Sequence, residues 1–292
     1  MQRFSRAQLV HHSLMAGLFA AAVTIFGLIT AVLNWWVIPV AWVLGAGYVV
    51  FRMRRFIRRV RAGDEPSDGV REVLERQVDF YRRLPDDEKA RFRRDVHYFL
   101  LDHHLEGIDV ELDDELRALT AAGAVVLTFG MPEYEWDNTR DILIYPTSYD
   151  EDYQYGPQGD VLGQVSQQGS IILAADALKV GFDNGTDGHN VGLHEFAHVI
   201  DFADGEIDGV PARLSWPTIQ PWMEKMHAHL QRVDQGGRHR KVFRGYAYTN
   251  EAEFFACATE MFFEQPSRLF HKAPDLYQLL ADFYHQDPRA TE

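Results

Sequence analysis

The chain has 292 residues, 46% hydrophobic and 25% charged, which is enough apolar surface to build a core and excludes wholesale disorder. Its formal charge of -14 is unevenly placed: residues 1–62 hold eight Arg and no Lys, Asp or Glu, so the rest of the chain carries the whole acidic excess. An acidic body repels polyphosphate and excludes direct nucleic-acid binding, and a single Cys257 excludes an intramolecular disulfide or a Cys-rich zinc module.

From Ser13 to Phe51 there is no Asp, Glu, Lys or Arg. As one helix that run would measure roughly 58 Å, about twice the hydrocarbon thickness of a bilayer, so two spans fit better than one. Asn34, Trp35, Trp36 and Pro39 interrupt it near the middle, where a turn is expected. Arg3 and Arg6 precede the run and six Arg follow it between Arg52 and Arg61, so the positive-inside rule places both ends in the cytoplasm. The expectation is a two-helix transmembrane hairpin in residues 1–62, contacting the lipid bilayer through residues 13–51, in a bacterial inner (cytoplasmic) membrane. A cleaved signal peptide fits less well, because the apolar run continues past any such length.

Residues 62–67 (AGDEPS) have linker composition. Apolar residues at helical spacing then predict helix from Val70 to Leu101, restarting near Pro85, and again from Leu112 to Ala122. Ala124–Phe129, Ile142–Tyr145 and Ser170–Ala174 are short apolar runs suited to strands, with Val161–Val165 a weaker one. Helices, a small sheet, then helices again predict an α+β fold.

His194-Glu195-Phe196-Ala197-His198 is an HExxH motif inside an apolar helical pattern. One turn apart on one face, the two imidazoles can converge on a single Zn2+, with Glu195 placed to take a proton from metal-bound water. A catalytic zinc needs a third protein ligand, and Glu253, Glu260 and Asp204 all qualify by position. Glu253 can equally close a capping box with Asn250. Asp201 reads as an acceptor behind a ligand histidine or as a helix-end charge. His189 lies close to the motif. Phe254, Phe255, Phe262, Phe263 and Cys257 read as core.

Residues 194–201 (HEFAHVID), 208–211 (DGVP), 246–255 (YAYTNEAEFF) and 283–288 (FYHQDP) together resemble the Mlc titration factor A family of zinc-dependent peptidases, over roughly Leu84 to Pro288. The resemblance implies a mostly helical, zincin-like metallopeptidase domain with a small β-sheet. It also implies one Zn2+ held by His194, His198 and Glu253, with Glu195 as general base and Tyr246 lining the site. The domain plan becomes residues 1–62 as the hairpin, 63–84 as linker and connecting helix, and 85–292 as the peptidase. The expected function is a membrane-anchored, cytoplasm-facing zinc peptidase acting on a peptide or protein substrate. The rival is a regulatory protein that sequesters a transcriptional repressor, with zinc structural or peptidase activity incidental.

Overall fold

A computed structural model describes residues 37–148 apart from 138 and 140, 163–165, and 170–291 apart from 212, 213, 215, 235–242, 244–246 and 248, with a few helical positions between 15 and 26. It divides the chain into two units, Met1–Asp64 and Glu65–Glu292.

In the first unit, helix α1 (Val37–Ala62) corrects the expected hairpin. Among the described residues no helix is long and apolar enough to cross a membrane. The stretch read as the second span does not stop at Phe51. It runs unbroken into Arg52, Arg54, Arg55, Arg58, Arg59 and Arg61, so one helix is apolar in its first half and cationic in its second. Its apolar part, from Val37 to Phe51, falls short of the roughly 20 residues that a helical span needs. Most of the first expected span, Ser13 to Leu33, lies outside the described residues. The described residues thus do not show the expected transmembrane hairpin or its lipid contact, on which the inner-membrane location rested.

The second unit is mostly helical. α2 (Asp68–Gln77) begins where the Ser67 hydroxyl accepts the Val70 N–H, α3 (Asp79–Arg83) follows a break at Val78, and α4 (Asp86–Asp102) starts after Pro85, which cannot continue a helix. α5 (Asp114–Thr128) is capped by Asp113, whose carboxylate accepts the Leu116 N–H at 2.8 Å. It absorbs most of the Ala124–Phe129 run that the sequence had suggested as a strand. The reason is burial: Ala118 through Thr128 are all buried, with α2, α4 and the HExxH helix packed around them. A helix covered on every side needs no polar face, and without one a short apolar run carries no helical period.

Four short strands, β1 (His104–Gly107), β2 (Asp141–Tyr145), β3 (Gly163–Val165) and β4 (Ile171–Ala174), form one sheet in the order β1-β2-β4-β3. β1, β2 and β4 are parallel, with Leu105 opposite Ile142 and Ile144 opposite Leu173, while β3 pairs antiparallel to β4 with Gln164 opposite Ile172. β4 leads directly into α6 (Ala175–Asp183). α7 (Val191–Asp201) carries the HExxH motif, and α8 (Trp216–Asp234), α9 (Glu251–Glu264), α10 (Pro266–Lys272) and α11 (Pro274–Tyr284) complete the unit.

α7 lies between α5 and α9. Phe196 anchors it, packing edge-on against Phe99 and Trp136 at ring-centroid separations of 5.6 and 5.1 Å. Phe254, Phe255, Phe262 and Phe263 of α9 are buried as well, which fixes this helix against its neighbours and leaves its carboxylate stripe facing α7. Burying each of these rings contributes roughly 1.5–3 kcal/mol, ample to hold two helices in one register.

Candidate metal centre

Asn190 starts the HExxH helix: its side-chain oxygen accepts the Leu193 N–H at 3.1 Å, and its amide nitrogen donates to the Gly181 carbonyl at 3.2 Å. From that start His194 and His198 fall one turn apart on one face, and their Nε2 atoms come within 3.2 Å of each other. The facing helix supplies Glu253. One of its oxygens lies 3.1 Å from His194 Nε2 and the other 3.6 Å from His198 Nε2. The sequence left this residue between a ligand and a cap, and the geometry separates the roles. Asn250 does cap α9, accepting the Glu253 N–H at 2.8 Å, while the Glu253 side chain turns away to the two histidines.

Two imidazole nitrogens and a carboxylate pointed at one spot are a donor set that a cation relieves. His194, His198 and Glu253 could hold a metal ion, their ligand atoms all lying within 4.8 Å of one another. A second group, His194, Cys257 and Glu260, meets the same criterion on the other side of the His194 ring. There both Glu260 oxygens already accept N–H bonds, from His194 Nδ1 and from the Asn190 backbone. The first group therefore suits a metal better.

The electrostatics follow from burial and close pairing. Burial opposes charge on His194, but hydrogen bonds with Cys257, Glu253 and Glu260 outweigh it and hold the ring's pKa well above the usual histidine value. Burial also disfavours charge on Glu253, and here the hydrogen bonds from His194 and His198 win, pulling its carboxyl well below the usual range. Glu195 is 5% exposed, and burial raises its carboxyl. It sits under the edge strand β3, against Gly163.

The other expected residues sort plainly. Tyr246 lies outside the described residues, as does the side chain of Asp204. Asp201 is fully buried and accepts the Gly209 N–H at 2.9 Å. Gly209 has φ 74°, and a side chain on it would meet the Glu251 carbonyl oxygen at 2.5 Å, so the DGVP segment ties the end of α7 to the start of α9. His189 is exposed, its backbone N–H held by Glu264 at 2.8 Å. What sequence reasoning missed is a ladder. Glu253, Glu260 and Glu264 fall within about 40° of one another on α9, and all three reach the start of the HExxH helix. Their spacing of seven and then four residues was visible in the sequence, but its partner was not.

The chain matches the family described as glucose-regulated metallo-peptidase M90 over residues 52–285. It is 29% identical over 228 residues to an uncharacterized protein of Synechocystis sp., covering 74% of this chain and 83% of that one. It is 30% identical over 184 residues to Mlc titration factor A of Serratia proteamaculans (57% of this chain, 69% of the relative) and 32% identical over 184 residues to the protein of that name from Yersinia pestis (57% and 67%). A match that spans most of the sequence and runs through both the HExxH helix and the Glu253 helix makes the chain a member of the glucose-regulated metallo-peptidase M90 family.

Proposed function

We propose that the chain is a zinc-dependent peptidase that hydrolyses peptide bonds, with one zinc ion held by His194, His198 and Glu253. The observation that supports zinc is the convergence of these three side chains, whose ligand atoms all lie within 4.8 Å of one another. Tetrahedral zinc with bonds of about 2.0–2.1 Å spaces its ligand atoms roughly 3.3 Å apart. Here the two Nε2 atoms are 3.2 Å apart, one Glu253 oxygen lies 3.1 Å from His194 Nε2 and the other lies 3.6 Å from His198 Nε2. When bound, zinc supplies Lewis acidity, polarising a substrate carbonyl and lowering the pKa of water.

The chain's own residues do the rest. Glu195 takes the proton of the attacking water and returns it to the leaving amine, a task that suits a carboxyl raised by burial. Tyr246, carried over from the family resemblance, hydrogen-bonds the oxyanion or the leaving amine. β3 is one of the two edge strands of the sheet among the described residues and is the one that passes beside Glu195, so the substrate is an extended peptide lying along that strand.

Changing Glu195→Gln tests the reading, because the residue is assigned to proton transfer and not to coordination. The variant should hold zinc like the wild type and lose hydrolysis by at least about 100-fold. Full hydrolysis by a zinc-replete Glu195→Gln protein would contradict it. The name of the relatives favours a second reading, in which the chain also titrates a repressor of the Mlc type. Binding of such a repressor that survives in the Glu195→Gln protein would show the two activities to be separable.

A further inference from the structure

Glu260 lies two turns beyond Glu253 on α9 and is 3% exposed. One of its oxygens accepts a hydrogen bond from His194 Nδ1 at 2.7 Å, and the other accepts the Asn190 backbone N–H at 2.7 Å. The first donor is the far side of the ring whose Nε2 faces His198 and Glu253. The second belongs to the residue that caps the HExxH helix. One buried carboxylate thus grips both a metal-facing ring and the helix start that carries it. His198 gives the contrast: its Nδ1 is buried and makes no hydrogen bond among the described residues.

We infer that Glu260 is the positioning residue of the metal centre. By keeping the proton on His194 Nδ1 it leaves Nε2 bare toward the metal, and the charge-assisted bond aims the ring and raises its basicity as a ligand. The sequence had offered Glu260 as a rival third ligand, and the geometry gives it different work. The inference rests on the reading of His194 as a ligand and goes beyond it in naming what holds that ligand. The competing use of the same atoms is a second metal bound by His194, Cys257 and Glu260. Both Glu260 oxygens are already occupied by N–H donors, which argues against it.

A glutamine at this position offers one acceptor and one donor where the site presents two donors, so Glu260→Gln leaves one N–H facing an NH2 group. Zinc affinity is measured on the full chain by competition with a chromophoric chelator. Thr259→Val serves as reference: it removes a buried hydrogen bond between Thr259 Oγ1 of the same helix and the Tyr284 hydroxyl, at 2.8 Å, without touching a proposed ligand. Glu260→Gln should bind zinc about 10- to 100-fold more weakly, still one ion per chain at saturation, while Thr259→Val lowers Tm and leaves zinc affinity unchanged. Proton–nitrogen correlation NMR of the zinc-loaded wild type needs no variant and should find His194 protonated at Nδ1. Wild-type affinity in a folded Glu260→Gln protein, loss of a second zinc equivalent, or His194 protonated at Nε2 would overturn the inference. A wild type that takes up no zinc would overturn the peptidase reading with it, which separates the two failures.

Discussion

A Cβ on Gly163 would lie 2.5 Å from both Cγ and Oε1 of Glu195, so β3 can pass the proposed base only while residue 163 has no side chain. Gly163→Ala must therefore push either the strand or the carboxylate aside. Because a displacement of about 1 Å can cost on the order of 100-fold in rate, the variant should lose roughly that much kcat while zinc stoichiometry stays at the wild-type value. Steady-state kinetics beside metal analysis checks it, and unchanged kcat would mean that the strand yields without disturbing Glu195. At this scale the sequence was legible where one helix turn sets the geometry. His194, Glu195 and His198 could be placed from HExxH alone. Gly163 could not, because the atoms that demand a glycine arrive from another segment of the chain.

Among the elements, α9 ties itself to the start of α7 through three carboxylates in different states. Glu253 is held charged by the two histidines, Glu260 accepts two N–H bonds, and burial pushes the Glu264 carboxyl from 4.5 up to about 8, against hydrogen bonds from Asn190 and His189 that favour the charged form. Since the folded value of Glu264 lies above the unfolded one, the folded state holds this proton more tightly. Its contribution to stability is complete below about pH 4.5 and is lost as pH rises through about 8. Glu264→Gln keeps a neutral group at every pH. Thermal melts from about pH 5 to about pH 9 should show the wild type losing Tm relative to the variant as pH rises, and a constant difference would contradict the assignment. The elements were unevenly legible. Helix starts with Asn, Asp or Ser caps, at Asn190, Asp113 and Ser67, have local causes. The strand expected at Ala124–Phe129 became part of α5 because burial on every side erased the polar face that would have marked a helix.

For the whole molecule, the same physics explains the larger correction. A charge-free run in residues 13–51 suggested a membrane hairpin, but hydropathy does not say where a helix ends, and α1 continues from the apolar stretch through six Arg to Ala62. The parts of the candidate site were carried by separate local signals: a motif on α7, a capped helix start at Asn250, and a Gly209 turn between them. What the sequence could not supply was the packing that brings residues 194 and 253 within 3.1 Å, which only the buried aromatic faces of α7 and α9 decide. The central claim is that His194, His198 and Glu253 hold the metal. Zinc content and affinity after dialysis of wild type, Glu253→Ala and Asp204→Ala test it most directly. The wild type and Asp204→Ala should keep one zinc per chain and Glu253→Ala should lose it. One zinc at wild-type affinity in Glu253→Ala would contradict the assignment.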